Sequence, residues 1–168
     1  MSKKIRIGFL PLTKVNWTNE AMQKQRRDAI EMLSKIPNVE IVGGEDMIET
    51  EEQSLKILER FEKDRPDMLV ALFTTFALGT IVSLFAKRLK VPVVLWSIKE
   101  PDPAGGRLQA NSFCAANMNS HFLYRFHIPY FHVHGNIGDE KTLQDFDKTV
   151  RVVRAMDAVS KMRIGLIG

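Results

Sequence analysis

A doubly wound α/β fold, a parallel five-stranded sheet between two layers of helices, is what the sequence predicts, and three observations carry the prediction. Short apolar runs alternate with longer amphipathic segments in the order strand, helix, five times over. Two of those runs, Met68–Phe73 and Val91–Trp96, are apolar throughout, the pattern of strands covered on both faces. Turn-forming residues sit at the junctions, as in Pro37, Gly43-Gly44 and Asp64-Arg65-Pro66-Asp67. Right-handed crossovers connect parallel strands, so this order gives a three-layer α/β/α sandwich of the flavodoxin, Rossmann-like type.

Each element has a local reason. Ile5–Leu12 is an apolar run closed by Pro11 and a polar segment. Thr18-Asn19-Glu20 opens a helix, because a Thr or Asn side chain accepts from the free amides of the first turn. Met22, Ala29, Ile30 and Leu33 keep helical spacing up to Ile36, and Pro37 stops it. Val39–Val42 is a second strand. Thr50-Glu51-Glu52-Gln53 has the form of a capping box, and Leu55, Leu58 and Phe61 give the following helix one apolar face. After the Met68–Phe73 strand, Leu78–Leu89 reads as a helix and Val91–Trp96 as a strand. A polar loop runs from Ser97 to Gly106, and Arg107–Phe126 reads as a helix carrying Cys114, Ala115 and Leu123. Ile128–Val133 is the fifth strand. Asp139–Ser160 is the last helix, with Leu143, Phe146, Val150, Val153 and Met156 at three- and four-residue steps.

Composition narrows the function classes. The 168 residues make one domain of ordinary size, and at 45% hydrophobic and 26% charged the chain fills a core, which excludes a disordered protein. No apolar run approaches the roughly 20 residues of a membrane span. The basic start is followed by a short run broken by Arg6 and Pro11, unlike a signal peptide. A single cysteine, Cys114, makes no internal disulfide, and the expected location is the cytoplasm. The formal charge of +4 is scattered over several clusters, without the concentrated stripe of a nucleic-acid surface.

Lys4-Ile5-Arg6-Ile7-Gly8-Phe9-Leu10 is echoed by Lys161-Met162-Arg163-Ile164-Gly165-Leu166-Ile167, four of seven positions being identical. The expectation is therefore an N-terminal α/β domain over residues 1–160 and the first strand of a following domain over residues 161–168.

In a doubly wound sheet ligands bind outside the carboxyl ends of the strands. No glycine-rich dinucleotide loop follows the first strand, and no P-loop is present. Gly135-Asn136-Ile137-Gly138-Asp139 reads as a turn with Asp139 as helix N-cap. His132 and His134, two apart on a strand, share a face, but no third metal ligand is spaced with them, and a strand-end pair is the simpler reading. Cys114, among small helical residues, reads as a buried packing residue. Lys14, Asn16 and Trp17 form a polar, aromatic loop suited to a sugar or phosphate, since Trp stacks on an apolar sugar face while Lys and Asn donate hydrogen bonds. The densest signal is residues 96–119: an acidic-Pro turn, Gly105-Gly106, and then Asn111, Asn117 and Asn119 in a segment read as helix, where asparagine is a poor former.

This segment, with Glu100, Pro101, Gly105, Gly106, Arg107, Leu108, Asn111, Ser112, Cys114 and Asn117, resembles the N-terminal domain of the L-fucose isomerase and L-arabinose isomerase superfamily, closest to the fucose isomerase-like branch. Ala115 stands where the family's glycine follows the cysteine. The resemblance implies an aldose–ketose isomerase acting on open-chain sugars with a divalent ion, usually manganese. The metal ligands and acid–base carboxylates would lie in later domains, so neither catalytic nor metal-binding residues are expected in this segment. It implies a homo-oligomer in which this domain helps shape a neighbouring subunit's sugar pocket, with no nucleic acid and no membrane as partner. By the same analogy Lys14, Asn16, Trp17, Phe76, Glu100, Arg107 and Asn111 would bind substrate. Exposed apolar residues such as Phe122 and Phe126 would suit a subunit interface. Two other readings compete: a non-catalytic sugar-sensing or ligand-binding domain, and a domain that only builds the oligomer.

Overall fold

The computed structural model describes residues 3–77, 79–102, 104–106 and 108–165. Its elements are β1 (Ile5–Leu12), α1 (Glu20–Ser34), β2 (Val39–Val42), α2 (Glu51–Asp64), β3 (Met68–Phe73), α3 (Thr80–Leu89), β4 (Val93–Ser97), α4 (Ser112–Arg125), β5 (Tyr130–His134) and α5 (Glu140–Ser160), with a short 3-10 turn at Ala104–Gly106. All strand pairs are parallel, in the order β2-β1-β3-β4-β5. This is the flavodoxin-like order, whose switch point falls between β1 and β3.

Side chains alternate across the sheet and build two cores. Leu10, Leu12, Leu69, Ala71, Phe73, Val93 and Leu95 pack under α2, α3 and α4. Ile5, Ile7, Phe9, Val70, Leu72, Val94 and Trp96 pack under α1 and α5. β1, β3 and β4 are buried on both sides, which is why the sequence around β3 and β4 reads as unbroken apolar runs and β1 is interrupted only by the half-buried Arg6, by Gly8 and by Pro11. Gly8 lets α2 approach β1: a Cβ there would lie 2.7 Å from Phe61 Cε2 and 2.9 Å from Leu69 Cδ2.

Helix starts follow the capping chemistry. Asn19 accepts from the Met22 amide, and Thr50 and Gln53 complete the capping box of α2. Three sequence expectations are corrected. Leu55 and Met156 are exposed, because the core faces of α2 and α5 are centred on Leu58 and Phe61 and on Phe146, Val150 and Val153. α4 begins at Ser112, five residues later than Arg107: the backbone N–H groups of Gln109, Ala110 and Asn111 are bound by Glu100, and Asn111 has φ 53°, a left-handed value that no helix continues through. Cys114 is exposed, because Ala115, Ala116, Asn119 and Leu123 form the buried stripe of α4. Of the segment that resembles β1, Lys161 caps α5, residues 162–165 have no regular structure, and 166 and 167 lie outside the described residues. No described helix is long and apolar enough to cross a membrane.

Candidate functional site

The carboxyl ends of the strands carry two groups of polar and aromatic residues. The first straddles the switch point. Thr13 and Thr75, both buried, follow β1 and β3, and their hydroxyl oxygens are 3.0 Å apart. The Lys14 amide donates to Thr75 Oγ1 at 2.8 Å, and the Thr74 hydroxyl donates to the Leu12 carbonyl at 3.1 Å. These bonds join the loops after β1 and β3 into one unit. Beyond it the β1 loop turns back, with the Trp17 amide on the Lys14 carbonyl and Asn16 at φ 60°. Glu49 holds this turn, accepting from the amides of Thr18 at 2.9 Å and Asn16 at 3.3 Å. The Thr18 side chain and these amides keep the Glu49 carboxyl below its ordinary range.

The turn displays side chains rather than burying them. Trp17 and Phe76 are each 44% exposed, and the Lys14 ammonium lies 4.7 Å from the Trp17 ring centroid. Lys14 makes no ion pair among the described residues.

The second group stands over β4 and β5. The Ser112 hydroxyl donates to the Phe73 carbonyl and accepts from the Ile98 amide, pinning the start of α4 to the ends of β3 and β4. Glu100 gathers the approach to α4: Oε1 accepts from Gln109 and Ala110, and Oε2 from Asn111 at 2.8 Å. Burial opposes ionisation of Glu100, but these amides outweigh it and hold the carboxyl below its ordinary value. The Ser97 hydroxyl sits between two imidazoles, 2.9 Å from His132 Nε2 and 2.9 Å from His134 Nδ1. The exposed Phe113 ring packs on both, with centroids 5.7 and 5.4 Å away. His132 stands on the edge strand, but its nitrogen turns inward. Desolvation and the neighbouring His134 lower its pKa.

The structure therefore brings Lys14, Asn16, Trp17 and Phe76 to one place and Glu100 with Asn111 to another; Arg107 lies outside the described residues. With strands about 4.8 Å apart, three intervals separate β1 from β5 by about 14 Å. Both asparagines adopt left-handed backbone conformations, which Asn tolerates better than most residues. The Glu100 carboxylate is occupied by backbone amides and positions Asn111. His132 and His134 share a face, as their spacing predicts. Asp139 is the N-cap of α5, but its side chain makes no capping bond and accepts instead from the Asn136 amide. Sequence reasoning missed Glu49, Thr13 and Thr75, whose roles depend on contacts across the sheet. It also missed Ser97, although its place after the buried fourth strand was a signal.

Among the described residues no three His, Cys, Asp or Glu side chains come together as a metal site. The candidate loops form an open surface. A cavity of about 640 Å³ lies at the opposite, amino edge, lined by Phe126, Tyr130 and Met156 among others.

The family model for the fucose/sulfoquinovose isomerase N-terminal domain matches residues 8–160. Sulfoquinovose isomerases of Priestia aryabhattai and Priestia megaterium are 27% identical over 161 residues, covering 95% of this chain and 35% of theirs. The sulfoquinovose isomerase of Alkalicoccus urumqiensis is 35% identical over 103 residues, covering 61% of this chain and 23% of its own. The chain thus spans about a third of the length of the Priestia relatives.

Proposed function

The chain belongs to the fucose/sulfoquinovose isomerase N-terminal domain family, and on that premise we propose that it is the sugar-recognition and assembly domain of a cytoplasmic aldose–ketose isomerase. The segment from Lys161 then opens a further domain, and the pocket is completed by a neighbouring subunit of a homo-oligomer. One observation carries this reading. The loops at the switch point are fixed by buried hydrogen bonds, yet they present Lys14, Trp17 and Phe76 on an open edge. Such a surface supplies one wall of a pocket.

Aldose–ketose isomerisation moves hydrogen between the first two carbons and exchanges carbonyl for hydroxyl, with no change in composition. A divalent ion, manganese by family resemblance, would hold those two oxygens. The residues described here do not assemble its site, which we assign to the remainder of the protein. The role of this chain is to bind and orient: Trp17 and Phe76 cover the apolar face of the sugar, Lys14 and Asn16 meet its polar groups, and Glu100 sets Asn111; Arg107 joins them by family resemblance. The names of the relatives point to a hexose bearing a sulfonate, and an unneutralised ammonium beside an exposed indole suits such an anion.

The test is steady-state kinetics of the full-length protein with sulfoquinovose and with L-fucose. Lys14→Gln is expected to raise KM for the sulfonated sugar about tenfold, equal to about 1.4 kcal/mol, and to change neutral-sugar KM less than about threefold. Equal effects on both sugars would remove the anion assignment. No turnover on any aldose, with manganese present, would remove the isomerase reading.

A further inference from the structure

At the amino edge, away from the candidate loops, α5 has a second apolar stripe. Phe146, Val150 and Val153 face the core, whereas Val152, Met156 and Val159, at four- and three-residue steps, are 40%, 50% and 64% exposed. Met156 also lines the cavity of about 640 Å³, together with Phe126, Ile128, Pro129, Tyr130 and Phe131. Phe126 and Tyr130 are themselves exposed, and the stripe meets the cavity at Met156, which belongs to both. The cavity's rim is basic: Lys87 and Lys90 line it, and the Lys87 ammonium caps the Phe126 ring at 3.2 Å. An exposed apolar surface of this kind is uncommon on a protein that functions uncovered.

The geometry points to one occupant: we infer that this surface is the seat of the domain that follows in the same polypeptide. This rests on the reading that such a domain follows. α5 ends at this edge, and the exposed Met162 and Ile164 extend from it without entering the sheet. The Priestia relatives carry about two-thirds of their length outside the matched part. A domain tethered a few residues from the groove meets it at an effective concentration of about millimolar or more, well above that of a free partner. The basic rim selects an apolar projection flanked by acidic side chains.

Hydrogen–deuterium exchange of the 168-residue chain and of the full-length protein tests this. In the full-length protein, amides of 126–131 and 152–160 are expected to exchange at least about tenfold more slowly, while those of α1 keep their rates. Met156→Asp, at an exposed position, should abolish the added protection in the full-length protein and leave the melting of the short chain unchanged. Equal exchange in the two forms overturns the inference, as does protection of the short chain that grows with its concentration, which would mean a second copy. A gene ending with this domain overturns it too. Isomerase turnover with equal exchange rejects this inference alone; protection without turnover rejects only the isomerase reading.

Discussion

Removing the Glu100 carboxylate tests how the 100–111 loop is held. Three backbone N–H groups converge on it, two on Oε1 and one on Oε2. A hydrogen bond to a charged group contributes about 1.5–3 kcal/mol when buried, and less where water reaches it, as it does on this edge. Glu100→Ala is therefore expected to cost about 2–3 kcal/mol, or about 4–12 °C in Tm for a domain of this size. Glu100→Gln discriminates further. Its carbonyl can still serve Gln109 and Ala110, but its NH2 faces the Asn111 N–H and cannot accept, so the expected cost is about 1 kcal/mol. The pH dependence has a defined sign. A carboxyl held below its ordinary 4.5 contributes stability that is present above that value and lost as pH falls through the lower folded value. The assay is thermal and urea unfolding of the wild type and both variants between pH 3 and 7. An Ala variant melting with the wild type, or a Gln variant worse than Ala, refutes the reasoning.

Three further outcomes are expected. Glu49→Ala should change global stability by less than about 1 kcal/mol while speeding exchange of the Asn16 and Thr18 amides, since its bonds are local to an exposed turn; unchanged exchange there would refute its role. Gly8→Ala should destabilise by about 1–3 kcal/mol in urea unfolding, because the added methyl meets Phe61 and Leu69 inside van der Waals distance. His132, with its pKa held below 6.5, binds fewer protons folded than unfolded. Stability should therefore fall with pH from about 6.5 down to the folded pKa, and His132→Gln should flatten that slope, as read from Tm against pH.

The fold was legible because each element states its own period and its own ends. The uninterrupted six-residue runs around β3 and β4, bounded by turn residues, have the length and pattern of strands buried on both faces, and Thr50 with Gln53 marks the start of α2 at the residue where it begins. The misread start of α4 has a non-local cause. Residues 107–111 have helical composition, but a carboxylate about ten positions earlier takes the amides of Gln109, Ala110 and Asn111. Cys114 was misplaced because small residues line both faces of that helix, and only the packing shows which face is inside. Lys14, Asn16 and Trp17 were legible as one polar, aromatic loop after a strand, whereas Phe76 entered only by family resemblance; it is the strand order of the structure that brings the two loops together at the switch point. Glu49 was not, since a glutamate before a capping box gives no sign that it serves a loop about thirty residues away.

The same wiring bounds what Lys14 can contribute. Its ammonium is exposed beside the half-exposed Trp17 ring, so on the open edge water screens its attraction for an anion. Two opposite charges about 4 Å apart are worth about 1 kcal/mol in water and about 4 kcal/mol at an effective dielectric of 20. Glu49 is committed to the Thr18 and Asn16 amides and cannot swing to neutralise Lys14 without undoing the turn. Selection of a sulfonated sugar by Lys14 should therefore be weak on the isolated domain and appear when a second surface excludes water from the indole and the ammonium. An assembled protein that discriminates the two sugars no better than the isolated domain would place charge recognition elsewhere in the pocket.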